Sequence, residues 1–206
     1  MAKHIPLLQE IDGVEITAVA NRSRASGQKV ADEYGIGQVF EDWKEVVHSD
    51  DVDAVCIGTW PYMHCPITLE ALAAGKHVLT EARMAMNLAE ARQMYEASRH
   101  SNCVSMIVPA PLYLESEKTI LGMISDGTFG DLLEINVNAL GGFHNSRASI
   151  HWRQRRDLSG NNIMTMGIFN ETVRRYAGHE RSLIAHATTF ISQRTDEEGE
   201  LREVDV

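Results

Sequence analysis

Three apolar stretches in the first half of the chain are each followed by residues that could contact a ligand. The stretches are Val14–Ala20, Val52–Ile57 and Lys76–Thr80, and each is predicted to be a strand. Ligands of open parallel sheets bind outside the carboxyl ends of the strands, so the residues there are expected to share one crevice. They are Asn21, Arg22, Gly58, Thr59, Trp60 and Glu81. This set offers a guanidinium for a phosphate group and a carboxylate that can exchange a proton.

The pair Asn21-Arg22 bears on the chemistry of that ligand. In a dinucleotide-binding fold, an acid at this strand end binds the ribose 2′-hydroxyl, whereas a nearby arginine accommodates a 2′-phosphate. Asparagine in place of the acid, followed by Arg22 and Arg24, favours NADP over NAD as the cofactor. A solvated basic turn is the alternative interpretation of the same residues.

Helices are predicted between these strands. One covers Ser26–Tyr34, and another has Pro66 in its first turn. Asp42 and Asn87 each precede a glutamate three residues later, which is typical of a helix N-cap. This alternation of strand and helix over residues 14–108 predicts a parallel sheet with helices on both faces.

A different pattern begins after residue 109. Two further helices and two longer strands are predicted there: Leu114–Ser125 and Ile163–Tyr176, and Leu132–Leu140 and Leu183–Ser192. The alternation within Leu132–Leu140 is typical of an antiparallel sheet with one exposed face. The sequence therefore predicts an α/β domain with a Rossmann-like, doubly wound parallel sheet over residues 1–109, followed by a partial α+β domain over residues 110–206.

The segment from Asp51 to Glu81 carries a distinctive motif. It reads D-V-D-A-V-C-I-G-T-W-P-Y-M-H up to His64, and A-G-K-H-V-L-T-E from Ala74 onwards. With the pair Trp152-Arg153, this spacing resembles the glucose-fructose oxidoreductase/inositol dehydrogenase (Gfo/Idh/MocA) family. The resemblance extends over nearly the whole chain, although A-G-K-H-V alone would also suit any helix end followed by a strand.

The resemblance implies an NAD(P)-dependent oxidoreductase that moves a hydride between a nicotinamide and a sugar- or polyol-like substrate. It implies that His64 lines the cofactor crevice and that Trp60 lies beside the nicotinamide. Trp152, Arg153 and Arg156 would lie near the substrate pocket, where they could hold a carboxylate or phosphate. A homo-oligomer formed through the sheet of the second domain is also implied. The alternatives are a helix-start histidine for His64 and a solvated loop for the arginines.

The start of the chain departs from the family pattern. The Gly-rich fingerprint that holds the pyrophosphate belongs after a first strand, whereas His4–Leu8 already resembles the end of the first helix. The expectation is a truncated family member that lacks this strand and loop and is incomplete at its C-terminus. Since the first strand of a doubly wound sheet lies between Val14–Ala20 and Val52–Ile57, those two strands are expected to have unpaired inner edges.

The residues that support catalysis in the family are also changed. Its E-K-P motif appears as Glu81-Ala82-Arg83, and its D-x-G-x-H motif appears as Thr165-Met-Gly167-Ile-Phe169. Ala82, Thr165 and Phe169 cannot titrate near neutral pH, so the usual acid–base groups are missing. Glu81 or Glu171 could replace them. The alternatives are a catalytically silent relative that acts as a binding or subunit-partner protein, and a truncated gene product.

Composition argues against several other classes of protein. The 206 residues carry 19 basic and 29 acidic side chains, and the net charge of −10 argues against a nucleic-acid partner. The apolar stretches are strand-sized, so no membrane span is predicted, and residues 1–10 do not resemble a secretory signal. Three cysteines lack the spacing of metal ligands, so no metal site is predicted. The expected location is the reducing cytoplasm.

Overall fold

Strands alternate with helices through the first half of the chain, as the sequence predicts. The computed structural model describes residues 4–109, 114–140, 148–161 and 164–206. Contacts between residues divide the chain into two compact units, residues 1–108 and 109–206. The first unit contains α1 (His4–Gln9), β1 (Ala18–Ala20), α2 (Arg24–Tyr34), β2 (Gln38–Phe40), α3 (Trp43–Val47), β3 (Ala54–Ile57), α4 (His64–Ala73), β4 (His77–Thr80), α5 (Leu88–His100) and β5 (Ser105–Ile107).

The strands of this first unit form two parallel sheets. β1 pairs with β2, with Val19 opposite Val39. β3 pairs with β4, which in turn pairs with β5. Within residues 4–109, β1 and β3 are not paired with each other. The expectation that another strand lies between them stays a prediction.

Two apolar clusters hold the helices against these sheets. The larger cluster involves α3, α4 and the strands β3 and β4, and its buried members are Val47, Val52, Val55, Ile57, Ile67, Ala71, Leu72 and Val78. The smaller cluster joins α1 and α2 to β1 through Ile5, Val19, Ala31 and Ile36. Burial of one such large side chain contributes about 1.5–3 kcal/mol. The strand ends that carry the candidate site are therefore held by a packed core.

The starts of α2, α3 and α5 are fixed by side-chain caps. Asp42 forms the predicted reciprocal capping box with Glu45. The predicted cap Asn87 accepts a hydrogen bond from the backbone nitrogen of Glu90 at 3.0 Å. α2 begins two residues earlier than predicted because Ser23 is its N-cap. That cap fixes where the chain leaves the loop after β1 and enters the helix.

In the second unit, the described residues form three α-helices, one turn of 3-10 helix and one antiparallel sheet. Its elements are α6 (Glu117–Ser125), a single turn of 3-10 helix (Trp152–Gln154), α7 (Arg156–Ser159), α8 (Met164–Ala177), β6 (Gln193–Thr195) and β7 (Leu201–Glu203). The predicted helix over 163–176 corresponds to α8, and Ile163 lies outside the described residues. In the parts of the chain that the structure describes, no helix is long and apolar enough to cross a membrane.

The predicted antiparallel sheet is present, but its strands are not the predicted ones. β6 and β7 form it, with Arg194 opposite Arg202. The strands predicted over 132–140 and 183–192 are wrong, because neither stretch pairs with another strand among the described residues. Leu133 is 92% exposed and Ile184 is 99% exposed. An alternating pattern becomes a strand only where a second backbone completes the hydrogen-bond ladder.

An ion pair joins α8 to the residues that follow it. Arg174 donates from Nε and Nη2 to the carboxylate of Glu180, with Nη2 2.7 Å from Oε2. These hydrogen bonds, with others from the backbone and Asn170, lower the pKa of Glu180 to about 2. Because the pKa is lowered in the folded state, the pair stabilises the fold above the ordinary glutamate pKa. That contribution is lost as the pH falls towards 2.

The Arg174→Gln variant is expected to raise the pKa of Glu180 towards its ordinary value, since the strongest donor to the carboxylate is removed. An NMR titration of the Glu180 carboxyl carbon measures this directly. Arg181→Gln, one residue from Glu180, is the control for a general loss of positive charge. An unchanged pKa in Arg174→Gln, or an equal rise in both variants, would contradict the assignment.

Candidate functional site

The ends of β3 and β4 bring two parts of the predicted site side by side. Residues 58–60 follow β3 directly, and Glu81 follows β4. Ile57 is opposite Thr80 in this parallel pair, and the backbone nitrogen of Glu81 donates to the carbonyl oxygen of Ile57 at 3.0 Å. The two strand ends therefore leave the sheet together, on the edge where ligands of parallel sheets bind.

A cation–π contact joins the end of β1 to the end of β3. The guanidinium carbon of Arg22 lies 4.7 Å from the centroid of the Trp60 ring. On one side of Arg22, the side-chain oxygen of Asn21 accepts a hydrogen bond from the Arg22 backbone nitrogen at 2.9 Å. On the other side, Ser23 caps α2. Asn21, Arg22 and Trp60 are thus brought together across the two sheets.

This contact bears on two expectations for the crevice. Arg22 was expected at the adenosine ribose and Trp60 beside the nicotinamide, which are opposite ends of a dinucleotide. The two side chains touch, so the two expectations exclude each other. If Arg22 serves the adenosine ribose, Trp60 belongs to that end of the cofactor as well.

His64 is a buried residue that contacts the backbone of the site. It is 1% exposed, with Nδ1 2.7 Å from the carbonyl oxygen of Arg83 and Nε2 3.0 Å from that of Thr59. Both ring nitrogens therefore face backbone carbonyls, one in the segment after β3 and one in the segment after β4. This geometry favours a histidine that holds the two strand-end segments over one that contacts a ligand directly.

Glu81 has a partner that the sequence did not reveal. Nε2 of His4, the first residue of α1, contacts Oε1 of Glu81. The second carboxylate oxygen accepts a hydrogen bond from the Ala82 nitrogen at 3.2 Å. The two residues are 77 positions apart, so spacing could not link them. The signal that the sequence offered for this contact was a histidine in the first helix of a chain with a predicted parallel sheet.

The charge of Glu81 acts on a thiol in the neighbouring strand. Cys56, near the end of β3, has a raised pKa, because burial disfavours the thiolate and the negative charge of Glu81 adds to the effect. Ala82 brings no ionisable group to the segment. Arg83 contributes its carbonyl oxygen to His64. The carboxylate of Glu81 is thus paired with the imidazole of His4 at this strand end.

The predicted substrate-binding residues lie in the second unit. The guanidinium carbon of Arg153 is 4.2 Å from the centroid of the Trp152 ring. Arg156 instead contacts its own unit: its backbone nitrogen donates to Asp205 at 2.8 Å, and its Nη1 donates to Asn161 at 2.8 Å. Burial and the charge of Arg153 lower the pKa of His151. Trp152 and Arg153 are thus brought together, whereas Arg156 is tied to the last residues of the chain.

Thr165 and Phe169 line a cleft beside α8. The cleft has a volume of about 420 Å³, and its lining residues are Val137, Ala139, Thr165, Met166, Phe169, Asn170 and Val173. None of these side chains is ionisable. The cleft can bind an apolar or weakly polar group, but the lining residues that the structure describes offer no group that transfers a proton near neutral pH.

A larger cavity lies at the opposite edge of the β1–β2 sheet. It measures about 630 Å³, and its lining includes Thr17 just before β1, Gln38 at the start of β2 and Asp51 before β3. Ligands of parallel sheets bind at the carboxyl ends, so this cavity at the amino ends is not the candidate site. Across the described ranges, no three histidine, cysteine, aspartate or glutamate side chains gather to hold a metal ion.

Parallel strands, helices between them and polar residues at their carboxyl ends define a Rossmann-type nucleotide-binding unit. The chain belongs to the Gfo/Idh/MocA family, whose description is "Oxidoreductase family, NAD-binding Rossmann fold" and whose profile matches residues 1–108. The family predicted from the motif of residues 51–81 is therefore confirmed.

Comparisons with individual proteins agree with this family. The chain is 35% identical over 105 residues to 4-carboxy-2-hydroxymuconate-6-semialdehyde dehydrogenase of Sphingobium sp., which covers 51% of this chain and 33% of that protein. It is 31% identical over 155 residues to 1,5-anhydro-D-fructose reductase of Ensifer adhaerens, which covers 74% of this chain and 45% of that protein. The chain spans about half the length, or less, of the curated relatives that it matches.

Solved structures show the same fold. Levoglucosan dehydrogenase in complex with NADH and L-sorbose aligns with a TM-score of 0.84 at 20% identity, covering 98% of this chain and 56% of that chain. The likeness confirms the predicted fold class, an NAD-binding Rossmann fold with parallel sheets followed by a separate antiparallel sheet.

Proposed function

We propose that this protein is an NAD(P)-dependent oxidoreductase that moves a hydride between a nicotinamide and a sugar- or polyol-like substrate. The observation that carries the proposal is the position of Arg22, Trp60 and Glu81 at the carboxyl ends of β1, β3 and β4. Membership of an oxidoreductase family and likeness to a sugar reductase, 1,5-anhydro-D-fructose reductase, support it.

The residues at the strand ends fit a dinucleotide. Arg24 pairs with Glu41 at 3.5 Å, whereas no carboxylate among residues 4–109 forms an ion pair with Arg22. The Arg22 guanidinium is therefore available to a phosphate group, and Asn21 can bond a ribose without repelling that phosphate. We assign Asn21 and Arg22 to the adenosine ribose, with NADP favoured over NAD. Gly58, Thr59, Trp60 and Glu81 are assigned to the cofactor as well, with His64 holding them.

Acid–base help is assigned to Glu81. When bound, the nicotinamide would supply or accept the hydride. A proton leaving a substrate hydroxyl would be taken up at the Glu81 carboxylate, where Nε2 of His4 can share it. Trp152 and Arg153 are kept as candidates for substrate binding, since their stacked pair presents a cation. Arg156 is a weaker candidate because Asp205 and Asn161 already bond it.

A catalytically silent family member is the second candidate function. The observation that favours it is the cleft of Thr165 and Phe169, which has no ionisable lining residue, together with Ala82 in the segment after β4. Such a protein would bind the cofactor and act as a subunit partner. Cofactor binding without measurable turnover separates this candidate from an active oxidoreductase.

Titration with NADH or NADPH is expected to show one dinucleotide bound per chain, with quenching of the indole emission of Trp60, because the ring lies against Arg22 at the cofactor site. Calorimetry measures the binding, and fluorescence measures the quenching. Trp60→Phe is expected to keep the binding and lose the quenching. The control Trp43→Phe should keep both, since Trp43 packs against the larger apolar cluster. Absence of binding by both dinucleotides would refute the proposed function.

Two further properties belong to this proposal. A homo-oligomer formed through the second unit would cover apolar side chains such as Leu133 and Leu140, which are 92% and 97% exposed in the single chain. A cytoplasmic location is supported by Cys56, Cys65 and Cys103, which are all free thiols.

A further inference from the structure

We infer that Trp60 is a positioning residue that gives the protein its preference for a 2′-phosphorylated dinucleotide by holding Arg22 in place. This inference rests on the proposed function. It goes beyond it by assigning the indole to the adenosine end of the cofactor and by giving it a role in selecting between the two dinucleotides.

Trp60 is itself firmly held. It precedes a turn of 3-10 helix whose first residue, Pro61, is buried, and its carbonyl oxygen accepts a hydrogen bond from the Met63 nitrogen at 3.0 Å. The carbonyl oxygen of the preceding Thr59 faces the buried ring of His64 at 3.0 Å. The indole is therefore presented on a rigid turn, which makes it a suitable platform.

Arg22 is, by contrast, an exposed side chain in the loop between β1 and α2. Within residues 4–109 no carboxylate pairs with it, and the nearby acid Glu41 is engaged by Arg24. Its guanidinium carbon lies 4.7 Å from the centroid of the Trp60 ring, and this contact restricts the side chain. A guanidinium held over an aromatic face by a cation–π contact keeps N–H donors that point away from the ring.

Those outward donors suit a phosphate dianion, which guanidinium groups bind with two parallel hydrogen bonds. The position of Arg22 after β1 is where a Rossmann-type site meets the 2′-position of the adenosine ribose. A pre-oriented guanidinium loses less side-chain freedom on binding than a mobile one, so the indole strengthens the phosphate contact without touching the phosphate.

The experiment compares adenosine 2′,5′-bisphosphate with 5′-AMP by calorimetry, in the wild-type protein and in single variants. The wild type is expected to bind the bisphosphate more tightly, and Arg22→Ala is expected to remove the preference. Trp60→Ala should weaken bisphosphate binding by about three- to thirty-fold, the range of exposed to partly desolvated cation–π contacts. Its affinity for 5′-AMP should fall by a clearly smaller factor than its affinity for the bisphosphate, and Trp60→Phe should restore most of the preference.

Lys44→Ala is the matched control, because it removes another cation from an indole face, that of Trp43 at 5.7 Å. It is expected to leave the preference at the wild-type value. A wild-type preference in Trp60→Ala, or an equal loss for both ligands, would show that Trp60 does not act through Arg22. Inorganic phosphate bound as tightly as the bisphosphate would make Arg22 a general anion site and overturn the inference. In these cases the proposed function stands if NADH or NADPH still binds, whereas a wild-type protein that binds no nucleotide refutes both.

Discussion

Turnover of a sugar- or polyol-like substrate is expected to rise by about 10²–10⁴-fold when titratable groups are restored to the family's catalytic positions, because that is the usual contribution of general acid–base catalysis. The variant combines Ala82→Lys, Thr165→Asp and Phe169→His. In the natural sequence these positions cannot exchange a proton near neutral pH, so the wild type depends on Glu81 and His4 alone and its turnover is expected to be very slow. Absorbance of the nicotinamide, with inositol or glucose as substrate, measures kcat in both proteins.

The control is a triple variant with polar or long side chains that do not titrate: Ala82→Met, Thr165→Asn and Phe169→Gln. It separates a gain from acid–base chemistry from a gain due to a changed shape of the cleft. Equal turnover in the two triple variants would contradict the prediction. Robust turnover by the wild type would show instead that another acid serves the reaction, and Glu81→Gln would then test whether the pair of Glu81 and His4 is that acid.

The parts of the fold that the sequence predicted are those fixed by local patterns. β3 and β4 follow from short apolar runs, and the helices that begin after Asp42 and Asn87 follow from their caps. Such signals depend on residues a few positions apart, which a sequence displays directly. The common edge for residues 58–60 and Glu81 followed as well, because parallel strands place their carboxyl ends together.

The features that the sequence did not predict correctly depend on partners that lie far away in the sequence. The stretch Leu132–Leu140 has the alternation of a strand, yet no described backbone pairs with it, and Leu140 is 97% exposed. The contact between His4 and Glu81 joins residues 77 positions apart. The stacking of Arg22 on Trp60 depends on how close two separate sheets lie. None of these follows from spacing, since each is decided by tertiary packing.

His64→Ala is expected to destabilise the protein by about 2–4 kcal/mol, because it removes a buried donor and leaves a cavity. The ring is 1% exposed and faces the carbonyl oxygens of Thr59 and Arg83. A neutral imidazole carries one N–H, so the substitution takes the donor away from at least one of these carbonyls. Urea unfolding measures the change as a lower midpoint with the slope unchanged.

The control is His48→Ala, which removes an exposed histidine that contacts Glu70 at 2.8 Å. Its side chain is 55% exposed, so the expected change lies within about 0.5 kcal/mol. The two histidines differ mainly in burial, so the comparison measures the cost of losing a buried histidine together with its hydrogen bonds. Equal stability of the two variants would show that His64 does not tie the segment after β3 to the segment after β4. If His64 does tie them, His64→Ala should also weaken dinucleotide binding at temperatures where the variant remains folded, because Trp60 then loses the rigid turn on which Arg22 depends.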